Sequence, residues 1–203
     1  MSKEMDQNQR EIREISGFQI EVLITETEIR KRLVEVADKI YQDYYEKDKN
    51  PLFICVLKGA EPTYTWLSQE LGRGNPKTNR KPVSVHGGHI GLSSYGKEEK
   101  SSGELKISLP LSVDIKDKDI LIVEDIVDSG NTISKSKIIF SQENPKTLKY
   151  FALLDKEENR KIPVEVNYTG FKIPNKFVVG FGLDCDGNEL RNLPYIGIIL
   201  KKP

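Results

Sequence analysis

The segment DILIVEDIVDSGNTI, Asp119 to Ile133, sets three carboxylates beside an apolar run and follows them with a glycine-bearing turn. Glu124 and Asp125 come directly after a run that reads as a core strand, where a carboxylate is costly to bury unless something engages it. Asp128-Ser129-Gly130-Asn131-Thr132 then leads into helical spacing. Successive backbone amides and two hydroxyls in such a turn can surround a phosphate. A phosphate loop alone does not require carboxylates in front of it. A ligand that also carries hydroxyls or a magnesium ion does, and a phosphorylated sugar satisfies both halves. Helix capping is the alternative for each acidic residue taken singly. Neither G-x-x-x-x-G-K-[ST] nor G-x-G-x-x-G occurs, which disfavours a nucleotide triphosphatase and a dinucleotide fold.

These residues need strands and helices to hold them. FQIEVLI (Phe18 to Ile24) alternates as a short strand. Thr25 and Glu28 form a capping box, and Ile29, Leu33, Ala37, Ile40 and Tyr44 continue at helical spacing to about Tyr45. PLFICVL reads as a strand that breaks at KGAEP, with TYTWLSQELG as the next helix. RGNPKTNRKP reads as a basic surface loop. VSVHGGHIGLSSYG begins as a strand and becomes irregular, KEEKSSGE has the composition of a mobile flap, and LKISLPL resumes strand character. After DILIVE, NTISKSKIIFSQEN reads as a helix and KTLKYFALLD as a strand. EVNYTGF, KFVVGFGLD and YIGIIL are further strand candidates. Helices alternating with apolar strands predict an α/β fold, with a mostly parallel twisted sheet flanked by helices. Ligands of such sheets bind at the carboxyl ends of the strands. Residues 1–15 are expected to form a flexible tail, and 16–203 a single domain.

The 203 residues include 31 basic and 31 acidic ones, and this balance gives no global footprint for nucleic acid. The two cysteines, Cys55 and Cys185, are too few for a disulfide framework or a four-thiolate zinc site. MSKEMDQNQREIREI lacks the apolar core of a secretory signal, and no apolar run approaches the ~20 residues of a membrane span. The expectation is a cytoplasmic protein without a membrane partner. His86 and His89 invite a metal reading, but no thiol or carboxylate stands beside them in sequence, so a transition-metal site is disfavoured.

The segment from Val123 to Thr132 resembles the phosphoribosyl pyrophosphate-binding signature of type I phosphoribosyltransferases, and the wider pattern resembles their hypoxanthine-guanine branch. VLKGA, SSYG with SSGELKI, LLDK, KFVVGFGLD and RNLPYIG match that branch in the expected order, across roughly residues 18 to 200. The resemblance implies transfer of ribose 5-phosphate from phosphoribosyl pyrophosphate to a 6-oxopurine, hypoxanthine or guanine, with Mg2+ as cofactor. It implies purine salvage yielding IMP or GMP.

By the same resemblance, Glu124 and Asp125 engage the ribose hydroxyls and magnesium, and Asp128 to Thr132 cradle the 5-phosphate. Asp128 occupies the place of the general base at purine N7; ordering of the loop is its alternative role. Lys58 and Gly59 match the pyrophosphate loop, with a non-proline cis peptide at Leu57-Lys58 by analogy. Arg191 matches the pyrophosphate arginine at a spacing of seven from Asp184, where the branch more often has six, and Asp184 matches a ligand of a second magnesium. Lys156 would donate to O6, Phe177 would stack on the purine, and Val178 would offer its carbonyl near position 2. Ser94 and Tyr95 open a lid of about residues 93–106, and a small hood from the N-terminal strand and C-terminal segments completes the fold. A homodimer or homotetramer is implied.

A regulator that binds nucleotide on this fold while controlling RNA or DNA is the competing class. The balanced charge, the short N-terminal segment and the joint presence of Asp128, Lys156 and Phe177 favour the enzyme.

Overall fold

A computed structural model describes residues 11–94, 105–185 and 189–203. The expected lid lies largely outside the described residues, Tyr95 included; the backbone of Ser94 ends a strand. The main sheet holds six strands in the order β5-β4-β3-β6-β7-β8. These are β3 (Leu52–Leu57), β4 (His86–Ser94), β5 (Leu105–Leu109), β6 (Asp119–Val127), β7 (Thr147–Asp155) and β8 (Tyr168–Lys172). All neighbours are parallel except β4 and β5, as predicted for a mostly parallel sheet. Helices α1 (Glu26–Asp43), α2 (Glu61–Arg73) and α3 (Asn131–Gln142) accompany it.

Burial on both faces explains the apolar strands. Phe53 and Phe151 pack in a cluster with Leu33, Ile40, Leu67 and Leu71 of α1 and α2. Ile54, Ile122 and Ala152 meet Ile133 and Phe140 of α3 on the other face. Each large side chain so buried contributes about 1.5–3 kcal/mol. The capping box starts α1: the Glu28 amide donates to Thr25 Oγ1, and the Thr25 amide donates to Glu28 Oε2 at 2.8 Å. The buried stripe Ile29, Leu33, Val36, Ala37, Ile40 then fixes the helix against the sheet.

A second, four-stranded antiparallel sheet forms the hood, in the order β1-β2-β10-β9, from β1 (Ile12–Ile15), β2 (Phe18–Ile24), β9 (Val178–Val179) and β10 (Ile196–Lys201). Strand β1 corrects the end of the expected tail of residues 1–15, of which 1–10 lie outside the described residues. Ile12 to Ile15 pair with Glu21 to Phe18, and Ile15 packs against the hood core. Strand β9 is shorter than KFVVGFGLD suggests, because Gly180, Phe181 and Gly182 have positive φ and turn the chain after Val179.

The predicted basic surface loop also needs correction. Arg80, at 1% side-chain exposure, is buried, and its Nε donates to Asp38 Oδ1 at 2.5 Å. Its Nη1 donates to the Glu70 carbonyl. The loop is folded inward by that arginine while its other charges face out. The strand expected from Val83 begins only at His86. Its glycines are filled from outside: a β-carbon on Gly88 would lie 2.6 Å from Val113. Among the described residues no helix is long and apolar enough to cross a membrane.

Candidate active site

A cleft of about 460 Å³ opens at the carboxyl ends of β3 and β6, within the size range of small-ligand sites. Its lining brings together Lys58, Gly59, Glu124, Asp125, the whole of Asp128 to Thr132, Asp184 and Arg191. These residues come from three parts of the chain, of which the β6 turn supplies the longest continuous run.

Strand β6 runs buried through Glu124, and the pleat sends alternate side chains to opposite faces. Glu124 is only 4% exposed, and its Oε1 accepts no hydrogen bond among the described residues. Burial, and then the neighbouring Asp125 charge, hold its carboxyl well above the usual range. Burial pushes Asp125 up to about 6, opposed by its backbone hydrogen bonds and by Arg191. The Ile126 amide donates to Asp125 Oδ1 at 2.7 Å. A buried and a half-buried carboxylate side by side are poised for hydroxyl donors or a hard cation. The donor set is all oxygen, and the orphaned Glu124 oxygen gives such a partner a place, so these residues fit magnesium.

The loop after β6 is built for close approach. Gly130 has φ +88°, a conformation that favours glycine, and immediately precedes α3. A β-carbon there would lie 2.4 Å from the Ile162 carbonyl, so the packing of 160–162 also demands glycine. The amides of Lys161 and Ile162 donate to the Ser129 carbonyl at 2.9 and 3.0 Å, clamping the turn from behind. Asn131 Nδ2 donates to Ser129 Oγ at 3.0 Å. The first turn of α3 therefore faces the cleft with its amides foremost.

Asp128 stands at the turn with both oxygens engaged. Lys156, 7% exposed just beyond β7, donates from Nζ to Oδ2 at 3.1 Å. Asn159 Nδ2 donates to Oδ1. Sequence reasoning missed Asn159, since nothing local marks it; it is placed by the short helical turn Glu157–Asn159.

Across the cleft, the Leu57-Lys58 peptide is cis, as the resemblance implied. Gly59 is wedged between two neighbours. A β-carbon on it would stand 1.6 Å from Asp125 Oδ2, and one on Gly182 would lie 2.0 Å from the Gly59 carbonyl oxygen. Arg191 pairs with Asp184 at 2.7 Å and donates from Nη1 to the Gly182 carbonyl at 2.5 Å. Despite its shifted spacing, the side chain reaches the cleft.

None of the three expected purine contacts, Lys156, Phe177 and Val178, is part of this lining, although Lys156 reaches it through its contact with Asp128. Phe177 is 60% exposed rather than core, whereas Val178 is buried in the cluster below the sheet. An exposed aromatic at the edge of a buried pair is a surface free to stack.

A mostly parallel α/β sheet with a cleft at its strand ends, a paired set of carboxylates and an amide-lined turn fits a sugar-phosphate-binding class of protein. The chain belongs to the phosphoribosyl transferase family: residues 25–186 match the model described as phosphoribosyl transferase domain. It is 38% identical over 181 residues to the hypoxanthine phosphoribosyltransferase of Escherichia coli (strain K12), covering 89% of this chain and 96% of that protein. It is 41% identical over 177 residues to the hypoxanthine-guanine phosphoribosyltransferase of Dictyostelium discoideum, covering 87% and 93%. The bifunctional TilS/HprT protein of Listeria innocua is 38% identical over 178 residues, 88% of this chain, which span only about a quarter (26%) of that relative's length. Among solved structures, hypoxanthine phosphoribosyltransferase from Trypanosoma cruzi in complex with the product IMP superposes at a TM-score of 0.78. It shares 38% identity, with 93% of this chain and 97% of that one covered. A hypoxanthine-guanine phosphoribosyltransferase from Bacillus anthracis gives a TM-score of 0.77 at 34% identity, covering 94% and 100%.

Proposed function

We propose that the protein transfers the 5-phosphoribosyl group from phosphoribosyl pyrophosphate to a 6-oxopurine, hypoxanthine or guanine, giving IMP or GMP and pyrophosphate. The observation that carries this reading is the 3.1 Å pair of Lys156 and Asp128 beside the amide-lined turn. Lysine offers only donors and an ionised aspartate only acceptors. A 6-oxopurine presents the complementary pattern on one edge: O6 accepts, and N7 carries a proton to give. A 6-aminopurine would turn a donor toward Lys156.

In this reading the α3 amides and the hydroxyls of Ser129 and Thr132 hold the 5-phosphate, and Glu124 and Asp125 hold the ribose hydroxyls. Lys58, Gly59 and Arg191 face the pyrophosphate. As the bond from the anomeric carbon to pyrophosphate breaks and a bond to the purine nitrogen forms, positive charge grows on sugar and base. Asp128 takes or stabilises the N7 proton as it does so. Magnesium, held by Glu124, Asp125 and Asp184, would neutralise charge on the departing pyrophosphate. Phe177 stacks on the base, a contact worth roughly 1–3 kcal/mol by nucleic-acid analogy. The Val178 carbonyl reads position 2, and Ser94 and Tyr95 belong to a lid that excludes water. We extend the proposal to a cytoplasmic homodimer or homotetramer serving purine salvage.

The test is a base panel. With magnesium and phosphoribosyl pyrophosphate, hypoxanthine or guanine is converted to its monophosphate and adenine is not. Absence of turnover with hypoxanthine, guanine and xanthine would overturn the proposal.

A further inference from the structure

The parallel register of β3 and β4 sets Cys55 opposite His89, so both side chains project to the α2 face of the sheet. Glu61, in the first turn of α2, reaches down to them. Cys55 Sγ lies 3.6 Å from Glu61 Oε2, and His89 Nε2 lies 3.3 Å from the same oxygen. All three ligand atoms fall within 4.8 Å of one another. The histidine pair read from sequence does not form a site, because residues three apart in a strand face opposite sides. The thiol and carboxylate that seemed missing beside His89 arrive instead from β3 and α2.

We propose that Cys55, Glu61 and His89 form a site for a borderline-soft divalent transition metal such as zinc, separate from the cleft. Tetrahedral bonds of about 2.3 Å to sulfur and about 2.0–2.1 Å to nitrogen and oxygen set the sulfur and oxygen about 3.5 Å apart, and the nitrogen and oxygen about 3.3 Å apart. The observed spacings are 3.6 and 3.3 Å, so both separations from the shared Glu61 oxygen already match tetrahedral coordination, and the sulfur and nitrogen lie within 4.8 Å of each other. The side chains of His89 and Glu61 are 40% and 48% exposed, which gives the ion an entry path and leaves its fourth position to water. Cys55 is fully buried and supplies the inner wall. Thiolate and imidazole select zinc or cobalt over magnesium. Binding replaces the thiol proton with the metal, and the proton leaves to solvent. Tyr64 of α2 packs edge-on against the His89 ring at 5.3 Å, limiting its rotation.

The test is a titration of the chelator-treated, full-length protein with cobalt(II). A thiolate-to-cobalt charge-transfer band should grow to saturation at one cobalt per chain, and added zinc should abolish it. His89→Gln and Glu61→Gln, both at exposed positions, should each weaken cobalt binding by more than about tenfold, equivalent to about 1.4 kcal/mol. Cys55→Ser should remove the band; if that variant does not fold, the two exposed substitutions decide the matter. Cobalt held by Glu124, Asp125 or Asp184 would give no thiolate band. No band, a band undiminished in His89→Gln, or a band lost in Cys185→Ser but kept in Cys55→Ser would overturn the proposal.

Discussion

Gly59 and Asp125 occupy adjoining volumes with no room for a methyl group between them: a β-carbon on Gly59 would stand 1.6 Å from Oδ2 of Asp125. The backbone opposite β6 is thereby set by the carboxylate it faces. Gly59→Ala must displace one or the other. Turnover should fall by about 10²-fold, the scale expected of an ångström's misplacement. Gly72→Ala, with nothing within 4 Å in α2, should instead raise stability by about 0.4–1 kcal/mol. Steady-state kinetics and thermal melting of the two variants check this contrast, and wild-type turnover in Gly59→Ala would refute it.

Glu124 and Asp125 should make stability depend on pH. Both are acids with folded pKa values raised by burial, Asp125 from the ordinary 3.8 to about 6 and Glu124 well above 4.5. Their contribution is fully present below the unfolded values and is lost as pH rises through the folded ones, so the window begins near pH 4 and continues past about 6. Glu124→Gln should therefore gain stability relative to wild type as pH rises across that window. Denaturant midpoints of both proteins at several pH values measure the difference. A difference that stays constant, or reverses, contradicts the assignment.

Asp128→Asn should lower turnover by about 10²–10⁴-fold, the range for losing a general acid–base group. Asn159→Ala removes one of the two donors that orient Asp128 and should lower turnover by up to about tenfold, the scale of one ordinary hydrogen bond. Near-normal rates in Asp128→Asn would confine that residue to ordering the loop.

Asp38→Ala should destabilise the fold by about 3–5 kcal/mol, because it removes the carboxylate hydrogen-bonded to the buried Arg80 guanidinium and leaves only that of Glu70, 4.0 Å away. Urea denaturation reads the loss. The folded fraction should keep its activity, since the pair lies away from the cleft. A change under about 1 kcal/mol would mean that the carbonyl and carboxylate of Glu70 suffice for Arg80.

Much of the fold was legible where local and global signals agreed. The capping box of Thr25 and Glu28, the apolar run ahead of Glu124 and the turn at Gly130 each speak within a few residues. What escaped was set by partners distant in sequence. Arg80 looks like one more surface cation until Asp38, 42 residues earlier, takes it inside. Asn159 finds Asp128 across 31 residues, and Cys55 meets His89 only through strand register. The tail reading failed similarly for Ile12 to Ile15, since β1 exists by virtue of β2 and has a weak pattern of its own.

Two couples of charge stand at the cleft: Asp128 with Lys156 behind it, and Arg191 with Asp184. Within each couple the side chains act as counterions, and of the cations lining the cleft only Lys58 stands outside them, so a polyanionic ligand meets few uncommitted cations there. Its entry is an exchange of partners, in which a phosphate group takes over an arginine and a purine edge inserts between a lysine and an aspartate. Long-range attraction should then contribute little to capture, and association should weaken only gently with added salt. Selectivity comes from the groups able to satisfy both members of a couple at once.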